Sequence, residues 1–356
     1  MKICLIGDGN SIHIRRWASW FRDRGHEVMI ASLTPLNFPE VYDKAKYVAK
    51  KAGFMGYSRT IFPIRKLMRE WNPDIVHGHY LTAAGFYASL SGCRNKMVSA
   101  WGGDIYDDSK ERLKGMAIRY AIEHSKVCMS CSDHIMDTIR NMCPTVDVRK
   151  ILFGAETEHF KPNPIPHDKF RFLSIRATAP VYNPFVIVQA FEKAELDAEL
   201  WMQKPLSEPS DAYDYVKSKP ELDKRVTWLD ARPYDKMPEL FNSVDVGISI
   251  PSRDNASAAV IECMACGVPV IASELPSNHE WIKDAHTWEG GNGFLSKIDS
   301  NLLSNVMLKA HSSQMIKDGR GQRGYYARKK IVKNADWNTE MLKAEKIYQE
   351  IVERVG

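Results

Sequence analysis

Asp254, Ser257 and Glu262 stand in the most informative stretch of this 356-residue chain, the run from Pro251 to Ser273. The small residues Asn255, Ala256 and Ser257 lead into an apolar helix expected over 258–266, with Ser257 as its cap. A small-residue loop entering a helix leaves backbone N–H groups beside the positive end of the helix dipole, which suits an anion such as a diphosphate. Glu262 falls inside that helix among apolar residues, where an unpaired carboxylate is costly. A ribose with its two hydroxyls would satisfy it. So would a buried ion pair or a cap to a neighbouring loop, and spacing alone leaves these open.

Such a loop has to be carried by a strand end. Short apolar runs at 3–6, 27–31, 74–76, 97–100 and 126–129 alternate with longer amphipathic segments, the first at 12–24. That pattern marks a parallel sheet covered on both faces. Pro162, Pro164 and Pro166 then crowd together, and proline neither donates to a ladder nor lets its predecessor turn helical, so a linker is expected. The alternation restarts, with strands expected at 172–175, 200–202, 226–228, 246–250 and 268–271 and helices at 184–193, 235–243 and 258–266. Periodic helices at 302–317 and 337–355 end the chain. The expectation is an α/β protein of two doubly wound domains, 1–160 and 161–336. Ligands of such sheets bind beyond the carboxyl ends of the strands, so function is expected in a cleft between two facing units.

On that frame the 251–273 stretch resembles the acidic-x7-Glu signature of retaining glycosyltransferases of family 4, which have the GT-B fold. Asp254 is followed eight positions later by Glu262, then by Met264-Ala265-Cys266-Gly267-Val268-Pro269-Val270-Ile271. Four further segments agree in order. Gly9-Asn10-Ser11-Ile12-His13, with Arg24-Gly25-His26-Glu27-Val28, resembles the family's opening loop and second strand. Asp74-Ile75-Val76-His77-Gly78-His79-Tyr80 and Ser99-Ala100-Trp101-Gly102-Gly103-Asp104 resemble its inner strands, and Gly154-Ala155-Glu156 to Pro162 its pre-linker motif. The resemblance implies two facing Rossmann-like domains with a cleft between them, the last helix, 337–356, returning to the first. It implies a hexosyltransferase that moves a sugar from a nucleotide-diphosphate sugar, a UDP-sugar ahead of a GDP-sugar, with retained anomeric configuration. The acceptor would be a glycan or lipid-linked intermediate of surface polysaccharide or glycoconjugate synthesis, held by the first domain.

Carried over by position, Glu262 should bind the ribose, and Asn255, Ala256 and Ser257 should offer N–H groups to the donor. Arg176, after the strand expected at 172–175, should face the diphosphate and stabilise the charge that develops as the leaving group departs. Asp254 stands where the family has a glutamate contacting the donor sugar, one methylene longer. Where the family has a lysine and then a glycine, this chain has Tyr182-Asn183, so an expected cation is missing. Lys204 is the candidate substitute. Trp101 stands where many members have a histidine near the acceptor; it cannot accept a proton, but it can stack on a sugar or an isoprenoid. Asp104 and His79 are the remaining polar candidates for the chemistry, while His77 reads better as a satisfied interior histidine. Gly9 would let a ligand approach the backbone, and His13 beside it reads equally well as structural or functional. These departures keep open a non-catalytic or donor-binding scaffold, or an epimerase of the same fold.

Other signals speak against rival chemistries. Gly7-Asp8-Gly9-Asn10-Ser11-Ile12 follows a strand as a dinucleotide fingerprint would, but Ile12 holds the third glycine position and 31–33 has no acidic residue. The spacings Cys128/Cys131 and Cys263/Cys266 fall in expected strand and helix interiors, so they read as buried thiols rather than zinc knuckles. No metal and no cofactor is expected beyond the nucleotide sugar, and a net charge of +5 is too small to indicate nucleic acid by itself. No apolar run reaches the ~18 residues of a membrane span. The opening apolar run meets Gly7 and Asp8 too soon for a secretory core, and seven cysteines without a regular framework suggest reduced thiols, so a cytoplasmic location is expected. Lys44, Lys46, Lys50, Lys51, Arg59, Arg65, Lys66 and Arg69 are interleaved with Tyr47, Phe54, Tyr57, Phe62 and Trp71. That stretch could touch anionic headgroups at the inner face of a membrane, or form a solvated helix face.

Overall fold

The computed structural model describes residues 1–37, 45–49, 54–205, 211–284, 291–314 and 321–353. It divides into two units, Met1–Phe153 with Asn338–Gly356, and Gly154–Trp337.

In the first unit, seven strands form one sheet: β1 (Lys2–Gly7), β2 (Glu27–Ser32), β3 (Ala45–Tyr47), β4 (Ile75–His79), β5 (Lys96–Ser99), β6 (Val127–Ser130) and β7 (Val148–Lys150). Their order is β3-β2-β1-β4-β5-β6-β7, with every pair parallel. Cys4 and Ile6 pack into a core with Met29, Val76, Val98 and Ile118. Ile3 and Leu5 project to the opposite face by the pleat and are equally buried, which is why β1 reads as a continuous apolar run. The last helix, Trp337–Glu353, is fastened to this unit by polar contacts. Tyr348 Oη accepts from Trp17 Nε1 at 3.0 Å, Glu345 pairs with Arg24 and His26 at 2.8 Å each, and Glu340 accepts from the Leu152 N–H at 2.9 Å.

The second unit repeats the scheme with β8 (Phe170–Ser174), β9 (Ala198–Gln203), β10 (Val226–Leu229), β11 (Val246–Ser249), β12 (Val270–Ser273) and β13 (Gly293–Ser296). The order is β10-β9-β8-β11-β12-β13, again all parallel. Phe172, Ile248, Ile271 and Phe294 form its core with Ile187, Phe191 and Leu303. The division falls after Phe153 rather than at 160. Ala155 forms a parallel bridge with Asp336, and a Cβ on Gly154 would lie 2.3 Å from the Ala335 carbonyl oxygen, so this segment is packed into the second unit.

Strand order reverses between β1 and β4 in the first sheet and between β8 and β11 in the second. In open parallel sheets these reversals leave a crevice at the carboxyl ends of the two strands, where ligands bind. No helix among the described residues is long and apolar enough to cross a membrane.

Candidate functional site

In the second unit the switch point lies between the end of β8, which leads to Arg176, and the end of β11, which leads into the 251–257 loop. Ser257 caps the helix Ala258–Ala265 as its residue type dictates, its Oγ accepting from the Val260 N–H at 3.4 Å. Arg176 reaches the same cap. Its NH1 donates to Ser257 Oγ and lies 3.0 Å from Asp254 Oδ2, with both charged side chains only 16% exposed. The Tyr182 ring lies against the guanidinium, with Arg176 Cζ 4.2 Å from the ring centroid. Burial raises the pKa of Asp254, and the charge of Arg176 pulls against that shift. Asn255, Ser257 and Glu262 are buried, and Ser277 Oγ donates to the Asp254 carbonyl at 3.0 Å, which fixes the loop from beneath.

Tyr182-Asn183, the departure from the family's Lys-Gly, has a definite geometry. Asn183 adopts φ +51°, the left-handed conformation that glycine takes freely and asparagine tolerates. Its Nδ2 donates to the Ile250 carbonyl at 2.7 Å and to Ser252 Oγ at 2.9 Å, while the Ser252 N–H donates to the Val181 carbonyl at 2.8 Å. The segment behind Arg176 is thereby stapled to the loop that carries Asp254. Lys204 is placed otherwise: at the end of β9 it is half exposed and pairs with Asp230 at 2.9 Å.

In the first unit the candidates gather at the β1/β4 switch point. His77 is buried and partnered, its Nδ1 bonding Tyr348 Oη at 2.5 Å and its Nε2 bonding Ser99 Oγ. His79, two residues on, is equally buried, and neither of its ring nitrogens has a hydrogen-bond partner among the described residues. It sits in an aromatic box, with ring centroids 4.0 Å from His77, 5.3 Å from Trp17 and 6.0 Å from Trp101. Burial, reinforced by the His13 charge, pushes its pKa down to about 3, so the imidazole is neutral. The indole Nε1 of Trp101 is likewise buried without a partner among the described residues. His13 packs on Trp101 at 5.6 Å and on Phe153 at 4.9 Å.

Asp104 and Gly9 have structural employment. The Asp104 carboxylate is fully buried and accepts from the N–H groups of Leu81 (2.9 Å), Trp101 (3.1 Å), Gly102 (2.9 Å) and Ile105 (3.0 Å). Burial raises its pKa and those four amides oppose the rise. It therefore fixes the turn that presents Trp101. The bare face of Gly9 is filled by its own chain: a Cβ there would lie 2.6 Å from Leu36 and 2.9 Å from Ser32 Oγ.

The cysteines at the 128/131 and 263/266 spacings are buried thiols outside any disulfide, and burial pushes the Cys131 thiol up to about 12. Among the described residues no group of three or more His, Cys, Asp or Glu is placed to hold a metal ion. Arg65, Lys66 and Arg69 on the helix Phe54–Trp71, with Arg94, border an open groove of about 1170 Å³ whose edge carries Phe62, 70% exposed. The groove is lined by 72–74 and 91–95, which precede β4 and β5, so it lies at the opposite end of those strands from His79. Lys44, Lys50 and Lys51 lie outside the described residues.

Two parallel Rossmann-like units, each with polar candidates at its switch point, define the class by fold: GT-B. The family is equally plain. The model described as Glycosyl transferase 4-like matches residues 2–132, and that of Glycosyl transferases group 1 matches 155–330. Sucrose-phosphate synthase from Thermosynechococcus elongatus superposes with a TM-score of 0.83 at 15% identity, covering 99% of this chain and 100% of that one. HepE from Anabaena, solved in complex with UDP, gives 0.78 at 15% identity over 98% and 100%. In sequence, the N-acetyl-alpha-D-glucosaminyl L-malate synthase of Bacillus anthracis is 24% identical over 329 residues, 85% of this chain and 84% of that protein. The 2-deoxystreptamine N-acetyl-D-glucosaminyltransferase of Streptomyces fradiae is 24% identical over 237 residues, 57% and 55% respectively. The chain belongs to the family-4-like, group 1 glycosyltransferases and is a hexosyltransferase.

Proposed function

We propose that this glycosyltransferase uses a UDP-sugar, binding its diphosphate at Arg176 and at the amino end of the helix Ala258–Ala265, with Glu262 on the ribose. The observation that carries the reading is the meeting of Arg176, Asp254 and the helix cap Ser257 at the β8/β11 switch point. Breaking the sugar–phosphate bond puts negative charge on the departing nucleotide. A fixed guanidinium and a helix dipole aimed at that charge lower the barrier. The HepE structures with UDP and with UDP-glucose support uridine as the base.

Transfer proceeds with retention, Asp254 lying toward the donor sugar. The acceptor is held by the first unit at the β1/β4 switch point, where His79 and Trp101 stand. A neutral imidazole of pKa about 3 is a poor base at neutral pH. The hydroxyl proton therefore goes to the departing phosphate oxygen. No resident metal or cofactor takes part.

The acceptor class we favour is a glycan or lipid-linked intermediate of glycoconjugate synthesis. The basic groove by Arg65, Lys66, Arg69 and Arg94 would rest on anionic headgroups from the cytoplasmic side. A small hydroxylated acceptor is the second reading, favoured by the names of the two sequence relatives, which specify L-malate and 2-deoxystreptamine. Incubation with UDP-N-acetylglucosamine, UDP-glucose and GDP-mannose tests the reading, with membrane extract or small hydroxy acids and aminocyclitols as acceptors. Release of UDP, strongly reduced in Arg176→Ala and Glu262→Ala, is expected. Wild-type turnover in both variants would remove the site assignment.

A further inference from the structure

Arg176 is the one cation that the donor reading places on the diphosphate, and its surroundings are built to hold it at a fixed angle. NH1 is committed to Ser257 Oγ and to the Asp254 carboxylate. Among the described residues no acceptor engages Nε or NH2. Arg176 Cζ lies over the Tyr182 ring, 4.2 Å from its centroid. The contact is one of cation and ring, so it limits rotation of the guanidinium without taking up Nε or NH2 in a hydrogen bond. The ring cannot drift freely. Tyr182 ends a short 3-10 turn, Pro180–Tyr182, whose next residue, Asn183, is locked by its left-handed backbone and by two bonds to Ile250 and Ser252. The same staple ties this turn to the Asp254 loop.

We propose that Tyr182 is a positioning residue for the donor site: stacked on Arg176, it turns the Nε/NH2 edge of the guanidinium toward the diphosphate. This rests on the reading that Arg176 binds that diphosphate. Tyr182 is thus more than the absence of a lysine. It adds no charge, but it lowers the conformational freedom that the cation must give up when the anion arrives.

The test is calorimetric titration of the full chain with UDP, GDP and ADP, and with uridine as the ligand lacking phosphate. The wild type, Tyr182→Phe, Tyr182→Leu, Arg176→Ala and the Tyr182→Leu/Arg176→Ala double variant are compared, with melting temperatures as a check on folding. Tyr182→Phe keeps the ring and should bind UDP as the wild type does. Tyr182→Leu should weaken UDP about five- to tenfold, the size of a partly desolvated cation–π contact, and leave uridine unchanged. In the Arg176→Ala background the same change should have no further effect. Wild-type UDP affinity in Tyr182→Leu, or an equal loss with and without Arg176, overturns the role of Tyr182 while leaving the donor site standing. Full UDP affinity in Arg176→Ala, or binding of none of the three nucleotides, overturns the donor reading itself and the proposal with it.

Discussion

Arg176 NH1 lies 3.0 Å from Asp254 Oδ2, a close pair formed by the residues that follow two adjacent strands at the point where strand order reverses. The partners come from loops 78 residues apart in number, and only the parallel sheet brings them together. Opposite charges here give a cation that is held in place yet retains donors for a third, anionic group.

Removing the cation should therefore cost rate more than fold. Arg176→Ala is expected to lower kcat/KM roughly 10²- to 10³-fold, the usual loss when a fixed donor to a developing negative charge is removed. Arg176→Lys should recover little, because an ammonium cannot both donate to Ser257 and present a planar fork. Initial rates of UDP release measure both; rates within about threefold of wild type in Arg176→Ala would be incompatible with the assignment.

Neutralising the acid should separate binding from transfer. Asp254→Asn removes the carboxylate that competes with the diphosphate for Arg176, so UDP should bind more tightly. Turnover should fall, because Asp254 also lies toward the sugar. Equal or weaker UDP affinity in this variant would mean that the hold the carboxylate keeps on Arg176 outweighs its competition with the diphosphate.

The buried histidines set an acid limit on stability. The His79 pKa lies at about 3 in the fold against 6.5 in the unfolded chain, because the charged form is excluded from its aromatic box. The unfolded state therefore takes up the proton first. This contribution is complete above 6.5 and is lost as pH falls from there toward 3. His79→Phe should flatten the acid limb of a denaturation series and be neutral or stabilising at pH 8, since it removes two unpartnered nitrogens. It should raise KM for the acceptor and leave KM for the donor unchanged.

Asp104 should behave as scaffold. Asp104→Ala leaves the amides of Leu81, Trp101 and Gly102 without their acceptor, while Ile105 keeps the Gly102 carbonyl, and should cost at least about 3 kcal/mol. Asp104→Asn should rescue poorly, because its amide nitrogen would face N–H donors. Per folded molecule the donor KM should stay at its wild-type value. A large specific change in kcat with unaltered stability would make Asp104 part of the chemistry instead.

Much of this was legible in residue order. The buried strands β1, β4, β8 and β11 announce themselves as apolar runs because both faces of a parallel sheet are covered. The Ser257 cap and the helix behind it follow from a small-residue loop before a run without breakers. Less legible were β3, β7 and β13, three- and four-residue strands that all lie at sheet edges, the first two with polar or exposed residues. The helix Phe54–Trp71 carries Pro63 inside it, and Gly321–Asn334 opens on a glycine and is strongly charged, so neither has a clean periodic signal. At the site, Tyr182-Asn183 is visible in sequence as a missing cation. Its stacking on Arg176 is not, since it depends on the left-handed turn at Asn183 and a staple to a strand 67 residues away. Lys204 carried the right charge, but its strand end turns it toward Asp230.

The most direct measurement is a crystal structure of the full chain grown with UDP. The account requires diphosphate oxygens about 3 Å from the Arg176 guanidinium and from the amides entering the helix Ala258–Ala265, with the ribose hydroxyls on Glu262. Density for the nucleotide at another place, or a Glu262 carboxylate held by protein groups and turned from the ribose, would contradict it.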